Sequence, residues 1–125
     1  MKALLNYGNE TDDEIVKRQM HRGLHTWISH LEAITKEADQ LAQIVSNKIE
    51  DKKLHEVLLD NMNENINLLN EFYTYRNIMN NVRECDELEC DQFYMIQHDQ
   101  VFEKYMECVT KYRSIKNKVY QNLLL

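Results

Sequence analysis

The sequence contains no proline, and its only glycines are Gly8 and Gly23. These two residue types form many of the turns that β-sandwiches, β-barrels and doubly wound sheets require. Their scarcity in a chain of 125 residues excludes those folds and favours a few long helices joined by few connections. The length predicts a single domain over residues 1–125, large enough to bury a core without a disulfide or a structural metal.

A heptad pattern predicts the first helix. Apolar residues recur at alternating steps of three and four, so that they share one side of a helix. They are Leu24, Trp27, Leu31, Ile34, Ala38, Leu41 and Val45. Upstream, Thr11 and Glu14 have the spacing of a capping box, in which a threonine begins the helix and the glutamate reaches back to it. The first helix is therefore predicted over about residues 12–46.

The second predicted helix, residues 53–84, has two adjacent apolar rows. The first row is Leu58, Asn61, Asn65, Leu68, Phe72, Tyr75, Met79 and Val82, and the second row is Leu59, Met62, Ile66, Leu69 and Tyr73. A helix with two apolar rows packs against two neighbours, as the middle helix of a bundle does. Either row could face the core, and the sequence alone leaves that choice open.

A third helix is predicted over residues 91–123, with connectors near 46–53 and 85–91. Its expected core positions are Tyr94, Val101, Tyr105, Cys108, Tyr112, Ile115 and Val119. The prediction is thus an all-α fold, an antiparallel up-down-up bundle of three long helices with coiled-coil-like heptad packing. Asn47 with Glu50 is the expected cap at the first break. The alternative is one helix over residues 12–84, which would be longer than about 100 Å.

Two cysteines lie in the acidic segment ECDELECDQF, residues 84–93. Cys85 and Cys90, even with His98, do not supply the four suitably spaced ligands of a structural zinc site. The surrounding carboxylates disfavour the thiolate form that redox chemistry needs. We interpret the segment as a connector between the second and third helices.

The sequence shows no constellation typical of a catalytic helical bundle. None of the five histidines follows a carboxylate by three residues, as the ligands of di-iron and di-manganese bundles do. His21 and His25 lack the glutamate of a zinc-protease helix, and neither a nucleophile elbow nor a phosphate-binding loop is present. We therefore predict no enzymatic activity, no cofactor and no metal site.

A small-anion pocket is the main alternative suggested by individual residues. Arg76 is in phase with Leu69 and Tyr73, so its partial burial would require a carboxylate partner. Tyr73, Arg76, Tyr105 and His98 are the candidate ligand-binding residues. The same residues could instead form a structural network in which every polar group is already paired.

Asn61 and Asn65 place two amides on the first apolar row of the second helix. A polar residue on a helix seam lowers stability but can specify register and the number of partners. Together with Leu58 and Phe72 they are the candidate residues of an oligomeric interface. The alternative is that the seam turns toward solvent at this level.

Charge and cysteine content limit the choice of partner and compartment. A net charge of −6 argues against general nucleic-acid binding, and no apolar segment approaches the length of a membrane span. Three cysteines, an odd number, favour reduced thiols in the cytoplasm. We expect a non-catalytic bundle acting through protein–protein interaction or self-assembly, most simply as a homodimer. The alternative is a bundle that binds a small ligand or a metal.

Overall fold

The computed structural model describes residues 11–81 and 88–125. Three helices follow one another: α1 (Asp12–Lys48), α2 (Lys52–Asn81) and α3 (Leu88–Leu124). The predicted three-helix, all-α fold is confirmed. Of the connector predicted at 85–91, residues 88–91 belong to α3. Residues 82–87, which include Cys85 and the predicted end of the second helix, lie outside the described residues.

The predicted break between the first two helices is confirmed, but its cap is a different residue. Ile49, with extended backbone, ends α1 while its N–H still donates to the Val45 carbonyl. The side chain of Asp51 then accepts the Leu54 N–H at 3.0 Å, so Asp51 begins α2 in place of the expected Asn47–Glu50 pair. Three residues therefore separate the helices, which reverses the chain.

Thr11 caps α1 as the sequence predicts. Its hydroxyl oxygen accepts the backbone N–H of Glu14 at 3.2 Å, which satisfies one of the donors left free in the first turn.

Polar pairs on the helix flanks establish the direction of each helix. Lys104 and Lys111 of α3 bind Glu71 and Glu64 of α2, respectively. From the first pair to the second, the residue number on α3 rises by seven while that on α2 falls by seven, so these two helices are antiparallel. Two further pairs join α1 and α3: His30 with Tyr105, and Glu37 with Tyr112. From the first to the second, the residue number rises by seven on both helices, so α1 and α3 are parallel. The bundle is therefore up-down-up.

The heptad seam of α1 is the main wall of the core. All its predicted members are buried except Trp27, which is half-buried. Ile28 and Ala42, which the seam did not include, are buried as well because they face α2. On α3, Tyr112, Ile115 and Val119 are buried as predicted, whereas Val109 is buried and its neighbour Cys108 is only half-buried.

The structure resolves which row of α2 faces the core. The first row is inside: Leu58 and Phe72 are 0% and 1% exposed, and Tyr75 and Met79 are buried with them. In the second row, Leu59 and Ile66 are exposed and Leu69 is buried. Met62 and Tyr73 are half-buried and pack against the core. α2 therefore turns one apolar row toward α1 and α3 and leaves the other partly uncovered.

The third helix packs less extensively than the other two. α1 and α2 contact each other more than α3 contacts either of them. A groove consequently lies along each side of α3. In the part of the chain that the structure describes, none of the helices combines the length and apolarity needed to cross a bilayer.

Neighbouring leucines of α2 give a direct test of this packing. Leu58→Ala should lower the free energy of unfolding by about 2–5 kcal/mol, because it removes a fully buried side chain from the core. Leu59→Ala, the matched control on the exposed row, should cost less than about 1 kcal/mol. Urea unfolding followed by circular dichroism measures both, and a reversed order of the two losses would show that the other row faces the core.

Candidate functional site

A polar groove between α1 and α3 is the most chemically varied surface of the described structure. It encloses about 230 Å³. Its lining residues are His30, Ala33, Ile34, Glu37, Val109, Tyr112, Arg113 and Lys116. Because His30 and Glu37 lie two turns apart on α1, the helix presents both on one flank, opposite the tyrosines and cations of α3.

Glu37 is the polar centre of this groove. Its Oε1 atom accepts the Tyr112 hydroxyl at 2.6 Å and lies 2.8 Å from Lys116 Nζ. The hydrogen bond from Lys116, followed by that from Tyr112, lowers the pKa of Glu37. Its carboxylate raises the pKa of Lys116 in turn. Burial, followed by the hydrogen bond to Glu37, raises the pKa of Tyr112, so its hydroxyl stays a donor.

An aromatic cluster adjoins the groove toward the start of α3. The Tyr105 hydroxyl lies 2.6 Å from His30 Nδ1, and the Tyr105 ring stacks on Trp27 with centroids 5.7 Å apart. Phe102 covers another part of the indole at 5.1 Å. A β-carbon at Gly23 would lie 3.4 Å from the indole, an ordinary van der Waals contact. The helix continues through Gly23.

His98 extends the aromatic cluster from Trp27 to α2. Its ring centroid is 4.9 Å from that of the indole, and its Nδ1 lies 3.3 Å from the hydroxyl of Tyr75. Burial lowers the pKa of His98, an effect that Asp99 opposes and His21 reinforces. Burial also raises the pKa of Tyr75 to about 12. The neutral imidazole is therefore the form that the folded bundle favours.

The structure separates the four residues predicted to bind a ligand into two pairs. Tyr105 and His98 meet at Trp27 in the aromatic cluster. Arg76 instead lies over the ring of Tyr73 at 5.2 Å, on the same helix. At 100° per residue this pair lies on the flank of α2 opposite Glu71, and Glu71 faces α3. The predicted pocket is thus not assembled.

No sequence motif identified Glu37, Ala33 or Lys116 as residues of a site. Glu37 does lie on a flank of α1, next to the heptad seam of that helix. Flanking positions of this kind make contacts between helices. That signal could have identified Glu37, but the pairing needs the relative register of α1 and α3, which the sequence does not show.

Asn61 and Asn65 form a polar layer inside the bundle together with Cys108. Both amides are 2% exposed. The Asn65 amide donates to Asn61 Oδ1 at 3.2 Å, and the Cys108 thiol donates to Asn65 Oδ1 at 2.9 Å. The layer therefore links α2 to α3 across the core. Burial raises the pKa of the Cys108 thiol to about 11, so it remains protonated and able to donate.

The four residues predicted for an oligomeric interface all lie in the core of a single bundle. Leu58 and Phe72 pack in the apolar core, and Asn61 and Asn65 belong to the polar layer. A second folded copy would therefore contact α2 through other residues. The alternative that the seam turns toward solvent at the asparagines is wrong, because both amides are buried.

Of the two cysteines in the acidic segment, Cys85 and the side chain of Cys90 lie outside what the structure describes. Across residues 11–81 and 88–125, no three histidine, cysteine or acidic side chains are placed to hold a metal ion.

Comparisons of the chain with protein families, with curated proteins and with solved structures found no match. The functional argument therefore rests on the geometry of this chain alone.

The polar layer predicts an asymmetric response to two asparagine substitutions. Asn65→Ala should lower the free energy of unfolding by about 1–3 kcal/mol, because it removes the donor to the buried Asn61 oxygen and the acceptor of the half-buried Cys108 thiol. Asn63→Ala, on the exposed side of α2, is the matched control and should change it by less than about 1 kcal/mol. Urea unfolding measures both variants, and equal effects would contradict a bonded layer.

His98 predicts a loss of stability in mild acid. Its unfolded pKa is close to 6.5 and its folded pKa is lower, so the unfolded chain binds more protons between these two values. The contribution of His98 is therefore complete above about pH 6.5 and declines as the pH falls through that interval. The measurement is the unfolding free energy between pH 5 and pH 8.

His98→Asn should flatten this pH dependence, because asparagine retains a polar atom near Tyr75 but does not titrate. His25→Asn removes an exposed histidine and is the control for losing an imidazole as such. If the wild type and His98→Asn have the same slope with pH, the buried imidazole is not its source.

Proposed function

We propose that this protein is a non-catalytic helical bundle that acts by self-association, as an antiparallel homodimer formed through the exposed row of α2. The exposed row consists of Leu59, Met62, Ile66 and Tyr73. Leu59 and Ile66 are 41% and 42% exposed, and Met62 and Tyr73 are half-buried. Their heptad spacing makes a continuous apolar strip, a surface well suited to another helix.

The low charge of the surrounding surface supports an interface at this place. Residues 61–70 contain one charged residue, Glu64, and it is paired with Lys111 of α3. The exposed neighbours of the strip are asparagines such as Asn63 and Asn70. Depletion of charge distinguishes the core of an interface from the rest of a protein surface.

The spacing of the strip is compatible with an antiparallel arrangement. Leu59 and Tyr73 lie seven residues on either side of Ile66. A two-fold axis near Ile66 therefore places Leu59 of one copy beside Tyr73 of the other. Such a surface is self-complementary.

Two isoleucines on α2 allow a matched test of the interface. The wild type should show twice the chain mass of 15.1 kDa by light scattering behind a sizing column. Ile66→Glu should give a monomer, because it places a charge in the centre of the apolar strip. Ile78→Glu alters a residue of equal type on the other flank, 44% exposed, and should leave the dimer intact.

A wild-type monomer over a hundredfold range of concentration would overturn the proposal, and so would equal disruption by both glutamates.

We propose the cytoplasm as the location, which the odd number of cysteines in the sequence favours. The thiol of Cys108 is free and hydrogen-bonded in the polar layer, as a reducing compartment permits.

A second class, a bundle that binds a small ligand, has one specific observation in its favour. That observation is the groove between α1 and α3, rather than the four residues that the sequence suggested.

A further inference from the structure

The groove between α1 and α3 carries more positive than negative charge, although the whole chain has a net charge of −6. Arg113 and Lys116 line it together with one carboxylate, that of Glu37, so with His30 neutral its net charge is +1. The groove on the other side of α3 is lined by one cation and one carboxylate, and its charges cancel. The first groove is therefore the one with an excess of cationic groups.

Arg113 is available to an external ligand. It is exposed at the edge of the groove, and none of the described residues forms an ion pair with it. A guanidinium presents two parallel N–H groups, a geometry that matches two oxygens of a phosphate or a carboxylate. The Arg113 guanidinium therefore has a geometry that favours oxyanions.

Lys116 and His30 can complete the coordination of such a ligand. Glu37 holds the Lys116 ammonium at 2.8 Å, and an ammonium has three N–H groups, so donors remain for a second acceptor. When Tyr105 donates its hydroxyl proton to Nδ1 of His30, the ring carries its own proton on Nε2. The imidazole then adds a further donor to the groove.

Ala33 leaves the space that a ligand would occupy. It lies on α1 between His30 and Glu37, one turn from each, and its methyl group fills little of the groove. A longer side chain at this position would project between the same two helices. The volume of about 230 Å³ is therefore open where the donors converge.

We propose that this groove is a binding site for a small oxyanion, held by Arg113, Lys116 and His30 and seated over Ala33. The shared chemistry is a group with two or more oxygens and a negative charge, as in phosphates and carboxylates. The site is separate from the proposed dimer surface, which lies on the flank of α2 that faces away from α3. Glu37 keeps Lys116 in place, and its own negative charge limits the affinity for an anion.

Calorimetric titration with inorganic phosphate and, separately, with acetate tests the site at constant ionic strength. Wild-type protein should bind phosphate saturably, and more tightly than acetate because a dianion has the greater charge. Arg113→Gln should weaken binding by about tenfold or more. Ala33→Leu should abolish it by filling the groove while leaving every charge unchanged. Both positions are exposed, so the helical content of the variants should equal that of the wild type.

Lys111→Gln is the matched control. It removes an α3 lysine that pairs with Glu64 outside the groove, and it should bind phosphate as the wild type does. Amide chemical shifts of Ala33 and Arg113 should move during the phosphate titration. The proposal is overturned if wild-type protein shows no saturable binding, if Ala33→Leu binds normally, or if Lys111→Gln and Arg113→Gln weaken binding equally. If acetate binds more tightly than phosphate, the ligand class is a carboxylate.

Discussion

The hydrogen bond from Cys108 to Asn65 joins α2 to α3 in the middle of the core, and the other polar contacts depend on the register that it selects. Two buried amides can satisfy each other and a thiol in one alignment of the helices. A shift of one turn would leave them buried without partners, at a cost of about 1–3 kcal/mol for each group. An apolar layer in the same place would tolerate several alignments.

The register of α3 then positions the flanking residues. With Cys108 opposite Asn65, the lysines of one α3 flank meet Glu64 and Glu71, and the tyrosines of the other meet His30 and Glu37. Tyrosine suits these positions because its ring packs on the core while its hydroxyl reaches a polar partner at the rim. The positions of these surface ion pairs and hydrogen bonds therefore depend on the register of the buried polar layer.

The same layer explains why an apolar strip is left on the outside of α2. Because the row with the asparagines is turned inward, Leu59 and Ile66 of the adjacent row are exposed. Each bundle therefore has a closed core and a partly uncovered apolar strip on α2. Association through that face would bury the strip without disturbing the core, and it would leave the groove between α1 and α3 open to solvent.

The sequence predicted those features that depend on one helix at a time. The heptad seam of α1 and the cap at Thr11 follow from local spacing and agree with the structure. The inward row of α2 could not be chosen, because both rows are apolar and asparagine is unfavourable in a core unless a partner is present. That partner, Cys108, comes from another helix.

The groove was missed for the same reason that the choice of row was left open. Glu37 and Tyr112 are ordinary surface and core residues until the register of α1 and α3 brings them to 2.6 Å. Arg76 illustrates the converse. Its phase on α2 places it beside Tyr73, but no local rule showed that the helix would turn this pair away from α3.

The most direct test of the proposed assembly is a search for nuclear Overhauser effects between the Leu59 methyl groups and the Tyr73 ring. These residues are fourteen positions apart, so within one helix they are separated by about 21 Å, too far for the effect. An antiparallel dimer centred near Ile66 places Leu59 of one copy beside Tyr73 of the other and predicts cross-peaks, strengthened at high concentration and lost in Ile66→Glu. Their absence from a concentrated wild-type sample would contradict the proposed dimer.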